Sequence, residues 1–295
     1  MYRLSGFFIF GFIVIAPLCK VSADNGVPIN VFVSILPQKY LVERVGGDRV
    51  KVSVMVKPGL SPETYEPTPK QMAALDAAQL YFRMAVPFEN VWINRIRDLN
   101  PDIRIIECCG EIEITDPVHH DQDTYNARYT IDAHVWTSPV NATVLAGIIK
   151  NALSEFDPES ARYYAENYEK LVNDLVALDT EIRQLLSDIK IPYFIVSHPS
   201  WGHYAEAYGL KQISIEQHGT EVRAKELSRL VEFARQWNID TVYVQKQFNT
   251  ASARTLAREI NGRTVELDPL AEDYINNLRK VTQMIVEGAG QKWNL

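Results

Sequence analysis

The chain has 295 residues, 46% of them hydrophobic and 23% charged, with a formal net charge of −7. An acidic balance argues against nucleic acid and anionic membrane surfaces as partners, while the length and apolar content suggest two ordinary domains. Three cysteines, one of them in the N-terminal segment described next, exclude a cysteine-rich zinc site.

Met1-Tyr2-Arg3 carries one positive charge, Leu4 to Leu18 is an almost unbroken apolar run, and Val21-Ser22-Ala23 supplies small residues. This is the three-part pattern of a secretory signal, with cleavage expected after Ala23 and residence in the periplasm. The run is shorter than the roughly 18–20 residues of a spanning helix, which disfavours an N-terminal anchor. Leu18 before Cys19 disfavours a lipid anchor, since bacterial lipoprotein signals carry a small residue there. Removing residues 1–23 takes away Arg3 and Lys20 and leaves 28 basic residues against 37 acidic, a net charge of −9. Only Cys108 and Cys109 then remain. They are expected to end a buried strand (Ile105 to Gly110), a vicinal disulfide being the alternative in an oxidising compartment.

Strands and helices alternate in two stretches. Strands are expected at 29–35, 50–56, 80–82 and 103–106, with helices over 39–45, from Pro69 and from about Phe88 between them. The second stretch has strands at 192–196, 211–215, 241–244 and 264–267, with helices from Ser200, Val222, Thr250 and Pro269. Such alternation implies α/β lobes with parallel-type sheets flanked by helices. Between them, apolar residues recur at Tyr164, Tyr168, Leu171, Leu175, Leu178, Ile182, Leu185 and Ile189. Steps of four and three keep one helical face apolar. A helix of ~30 residues would run ~45 Å, enough to lie against both lobes and tie them stiffly together. The expected organisation is a signal peptide (1–23), an N-terminal lobe (24–157), a linking helix (158–190) and a C-terminal lobe (191–295), in a monomer.

All six histidines fall between positions 119 and 218. Glu63 sits in a proline-rich loop before a capping-box start at Thr68, Pro69 and Gln71. His134 lies in Asp132-Ala133-His134-Val135-Trp136, just before the Ser138-Pro139 helix start. His198 follows a buried strand in Ser197-His198-Pro199, and Asp268 stands between strand and helix in Leu267-Asp268-Pro269-Leu270. At least three of the four occupy the C-terminal end of a strand, where parallel α/β sheets bind ligands. Two such ends per lobe would converge in one cleft.

Pro62-x-Thr64-Tyr65-Glu66-Pro67-Thr68-Pro69, Asp132-x-His134-Val135-Trp136, Ser197-His198-Pro199 and Leu267-Asp268-Pro269-Leu270 resemble the zinc- and manganese-binding solute-binding proteins of ABC importers. The resemblance covers essentially the whole chain after the signal, in order and at matching spacing. It implies two α/β lobes joined by one long helix, a four-ligand metal site in the inter-lobe cleft (Glu63, His134, His198 and Asp268), a membrane permease as partner and no enzymatic activity. Two positions depart from the family. Glu63 stands where zinc-binding members usually have His, and Gln245 opens a segment that often begins with Glu. Carboxylate oxygen is an acceptable zinc ligand at about 2.0–2.2 Å, so the role is carried to Glu63. Two imidazoles and two carboxylates give a set of charge −2 that a dication neutralises. This is the ligand count of manganese members, yet His198 is kept where those members have Glu. Zn2+ is therefore the expected ion, with Mn2+ or Fe2+ the alternative.

The other histidines have lesser expected roles. His119-His120-Asp121-Gln122-Asp123 lies where zinc-binding relatives carry a longer His- and Asp-rich loop, and is a candidate auxiliary capture site. His203 and Gln245 are candidates to support the ligands from behind, and His218 is expected at the surface or in a similar supporting place. A mononuclear zinc hydrolase, with Glu63 or Glu66 as general base, is the competing enzyme reading. No His-Glu-x-x-His helix, Gly-x-Ser-x-Gly elbow or glycine-rich phosphate loop supports it. A surface adhesin is the third class, because some relatives are known as adhesins.

Overall fold

The computed structural model describes residues 27–110, 132–216 and 223–290. The expected signal segment and its cleavage point, and His119, His120 and His218, lie outside the described residues. In chain order the elements are β1 (Ile29–Val33), α1 (Leu36–Gly46), β2 (Val50–Val54), α2 (Pro69–Leu75), β3 (Leu80–Arg83), α3 (Pro87–Leu99) and β4 (Arg104–Glu107). There follow α4 (Pro139–Phe156), α5 (Ala161–Leu186), β5 (Tyr193–Val196), α6 (Gly202–Ala207) and β6 (Lys211–Ser214). The chain continues with α7 (Ala224–Gln236), β7 (Thr241–Val244), α8 (Ala251–Glu259), β8 (Arg263–Glu266) and α9 (Tyr274–Gly288).

The strands make two four-stranded sheets with the orders β2-β1-β3-β4 and β6-β5-β7-β8. Every pairing in both is parallel. Parallel neighbours need crossovers, which is why helices alternate with strands and cover the sheets. The central strands β1, β3, β5 and β7 are short and rich in buried Val, Ile, Phe and Tyr, as expected for strands covered on both faces. The outer strands are more exposed.

The linking segment opens with a 3-10 turn at Pro158–Ser160, and α5 then runs for 26 residues, about 39 Å at helical rise. Tyr164, Leu171, Leu175, Leu178 and Ile182 are buried along one face, as the periodicity requires. Near the end the stripe shifts, so that Leu186 is buried and Leu185 only half-buried. The helix packs on α1 and α4 on one side and on α9 on the other, which joins the lobes. Salt bridges Arg44–Asp174 (2.6 Å) and Arg279–Glu181 (2.7 Å) border these contacts. At such exposure they contribute about 0–1 kcal/mol each, so the apolar face carries the linkage.

Trp136 adds a second tie. It is 1% exposed, its indole N–H donates to the Pro269 carbonyl at 2.7 Å, and its own carbonyl accepts from the Tyr274 hydroxyl at 2.6 Å. The turn it grips explains one difference from expectation. The last helix begins at Tyr274, not Pro269, because the Asp268 side chain accepts from the Leu270 N–H at 2.9 Å and Asn277 donates to the Asp268 carbonyl at 2.7 Å. These bonds close a turn before the helix can start.

A candidate metal centre between the lobes

The loop carrying Glu63 is pinned at both ends. Thr68 caps α2 in a reciprocal box with Gln71, and Gln71 also donates to the Met55 carbonyl at 2.7 Å. Tyr65 is buried, donates its hydroxyl to Gln71 at 2.6 Å and packs edge-on against Phe88. With Tyr65 turned inward, its neighbours Thr64 and Glu66 are exposed, and Glu63 is half-buried facing the cleft.

His134 precedes a 3-10 turn at Val135–Thr137 that leads into α4, whose Ser138 side chain accepts from the Asn141 N–H. Asp132 holds it locally: one carboxylate oxygen accepts from the His134 backbone N–H at 2.9 Å and lies 2.8 Å from the ring Nδ1. His198 comes two residues after β5 ends at Val196. The parallel register of β5 and β6 pairs Val196 with Ser214. Carried two residues further, it sets His198 beside Glu216, whose carboxylate lies 2.9 Å from the His198 Nδ1. Phe248 stacks flat on the same ring, with centroids 3.9 Å apart and planes 11° from parallel.

Glu63, His134 and His198 each offer a ligand atom, and the three atoms lie within 4.8 Å of one another. Two contributors lie on the side of the first sheet and one on the second. The His198 Nε2 is 2.8 Å from a Glu63 oxygen, yet that buried nitrogen has no aligned hydrogen bond. Metal-free, the two groups form an ion pair around one proton, and a cation in the proton's place would be held by both. The donor types fit zinc, whose closed sites take imidazole and carboxylate.

The electrostatics are those of a cation site. Burial pushes the Glu63 carboxyl up, but His198 and then His134 outweigh it and hold it below its ordinary value. For His198, burial works against the charged ring, while Glu216 and Glu63 together lift its pKa to about 9. Burial also raises Asp132, and the bond with His134 more than reverses it.

Asp268 is not within the three-residue group. It is half-buried, tied to Leu270, and lines a cavity of about 320 Å³ with Ile35, Val56, Lys57, Gln247 and Glu272. His203 is buried and donates its Nε2–H to the Asp132 carbonyl (3.0 Å), so it braces the backbone of the His134 turn. Gln245 is buried and hydrogen-bonds the Ser200 hydroxyl and the His198 carbonyl, bracing the other. Sequence reasoning gave no role to Glu216, whose only signal was its place at the end of a strand pairing with the one before His198. Cys108 and Cys109 are free buried thiols, not a disulfide.

The fold and the cluster define a class: a two-lobed protein joined by one long helix, with a candidate cation site between the lobes. The chain belongs to the family of the periplasmic component A of zinc-uptake complexes, whose model matches residues 31–288. A relative in Chlamydia trachomatis, described provisionally as a metal-binding protein, is 30% identical over 88% of this chain and 91% of its own length. The zinc-binding lipoprotein AdcA of Streptococcus pneumoniae is 25% identical over 90% of this chain, which spans 56% of that longer protein. A crystal structure of a ZnuA deletion mutant with zinc bound superposes with a TM-score of 0.83 and 35% identity, covering 90% of this chain and 100% of that one. Among the described residues no helix is long and apolar enough to cross a membrane.

Proposed function

We propose that this protein captures zinc outside the cytoplasm and releases it to the permease of an ABC importer, with Glu63, His134 and His198 as ligands. The single observation that carries the reading is the group of three ligand atoms within 4.8 Å, drawn from both sides of the cleft. Family membership supports the transport role. Asp268 is the proposed fourth ligand, on the strength of its Leu267-Asp268-Pro269-Leu270 motif; Leu270 engages only one of its carboxylate oxygens, which leaves the other for the metal. The protein acts as a monomer that binds and releases its cargo without bond chemistry, after cleavage of the signal behind Ala23. Zinc is preferred over manganese or ferrous iron because two imidazoles favour it in a four-coordinate site.

Elemental analysis of protein exported by its native host and purified without added metal tests this reading. One zinc per chain is expected; equimolar manganese or iron, or no metal on titration, contradicts it.

A further inference from the structure

The geometry points to Asp132 and Glu216 as positioning residues that fix both histidines in the tautomer with hydrogen on Nδ1, so that each presents Nε2 to the metal. This rests on the assignment of His134 and His198 as ligands and adds how they are aimed.

A carboxylate accepts hydrogen bonds and cannot donate when ionised, so an imidazole nitrogen held against one must carry the hydrogen. The neutral ring then has its lone pair on the other nitrogen. His134 meets this condition through Asp132 at 2.8 Å, and His198 through Glu216 at 2.9 Å. His198 has a carboxylate at each nitrogen, Glu216 at Nδ1 and Glu63 at Nε2 (2.8 Å); Glu63 belongs to the ligand group, so the metal replaces the hydrogen between Nε2 and Glu63 while Nδ1 keeps its own. Neither carboxylate is a member of the three-residue group, so each acts through a histidine.

The two locks are built differently. Asp132 lies two residues from His134 and is 4% exposed; the same oxygen also accepts the His134 backbone N–H. Ring and main chain are therefore fixed by one acceptor. Glu216 reaches His198 across the β5–β6 register, with Phe248 stacked on the ring to hold its plane. Carboxylates in this position also make the ligating nitrogen a stronger donor, and losing such a partner costs about 10–100-fold in metal affinity.

The test combines long-range 15N–1H correlation spectra of zinc-loaded protein with zinc affinities from chelator competition for Glu216→Gln, Glu216→Ala and Asp132→Asn. Expected are Nδ1–H patterns for both rings with zinc on Nε2. Affinity should fall in the order wild type, Glu216→Gln, Glu216→Ala, the last by about 10–100-fold. Partial recovery in Gln, which keeps an oxygen acceptor, is an effect that simple loss of packing does not produce. The melting temperature of each metal-free variant reports whether it folds. If Asp132→Asn does not fold, the wild-type spectrum still decides His134. Zinc on Nδ1 of either ring, or a Glu216→Ala affinity within about twofold of wild type, overturns the inference while leaving the ligand assignment standing. Zinc that perturbs neither ring overturns both.

Discussion

The two sheets share one strand order but differ in what their cores join. Buried residues of the first sheet merge with α4, α5 and one face of the second sheet into a single cluster. The other face of the second sheet builds a separate core, in which Ile195, Val231, Val242 and Leu256 take part. Within β5 the two belong to alternate residues: Phe194 and Val196 to the shared cluster, Ile195 to the separate one. A parallel sheet buried on both faces permits this division, since successive side chains point to opposite sides. Residues flanking the candidate ligands, Tyr65, Val135, Trp136 and Trp201, belong to the shared cluster, whereas α7 and α8 form an outer layer on the separate core.

The strongest way to break this arrangement is at Trp136, which belongs to the shared cluster and bonds Pro269 and Tyr274 across the cleft. Trp136→Ala is expected to cost about 3–5 kcal/mol in denaturant unfolding and to weaken zinc binding as well. Undiminished zinc affinity in a destabilised variant would show that the tie does not shape the site.

Leu256→Ala makes the contrasting perturbation. Leu256 is fully buried in the separate core, so a loss of about 2–5 kcal/mol is expected there too. Faster amide exchange should be confined to α7, α8 and their strands, with zinc affinity nearly unchanged. Equal acceleration in α1 and α4 would mean the two cores unfold as one.

The pH dependence sharpens the comparison at the site itself. His198 faces two carboxylates, Glu216 and Glu63, and its pKa is lifted to about 9 in the metal-free fold, from the ordinary histidine value of 6.5. The folded chain thus holds a proton at neutral pH that the unfolded chain loses. Its stabilising contribution is fully present below pH 6.5 and is lost as pH rises through about 9. Zinc must displace that proton, so binding should release about one proton at pH 7.5 and strengthen about tenfold per pH unit up to about 9. Calorimetric titration in buffers of different ionisation enthalpy counts the proton; none released would remove His198 from the site.

The smallest effect concerns the thiols in the shared core. Burial, then neighbouring negative groups, raises Cys108 well above the usual thiol range and pushes Cys109 up to about 12. Iodoacetamide should label neither before unfolding. Rapid labelling of the native protein would mean the first lobe opens there independently.

The architecture was legible because both its signals are local. Strand and helix periodicities alternate twice, and the apolar stripe of α5 is continuous across the join. Glu63, His134 and His198 could be named because each sits in a turn whose flanking residues announce it: the Thr68–Gln71 box, the Ser138-Pro139 start, the end of β5. Glu216 could not, because its relation to His198 exists only through strand register, which spans 18 residues and is set by tertiary pairing. The start of α9 was misplaced for a related reason. Pro269 suits a first helical position, but Asp268 and Asn277 use their hydrogen bonds to close a turn ahead of it.

The central claim, that the ion lies between the lobes on Glu63, His134 and His198, is tested most directly by anomalous diffraction at the zinc edge from crystals of the loaded protein. The account predicts one strong peak about 2.0–2.2 Å from a Glu63 oxygen and from the Nε2 of both histidines. A peak bound elsewhere, with these three side chains unliganded, would contradict it.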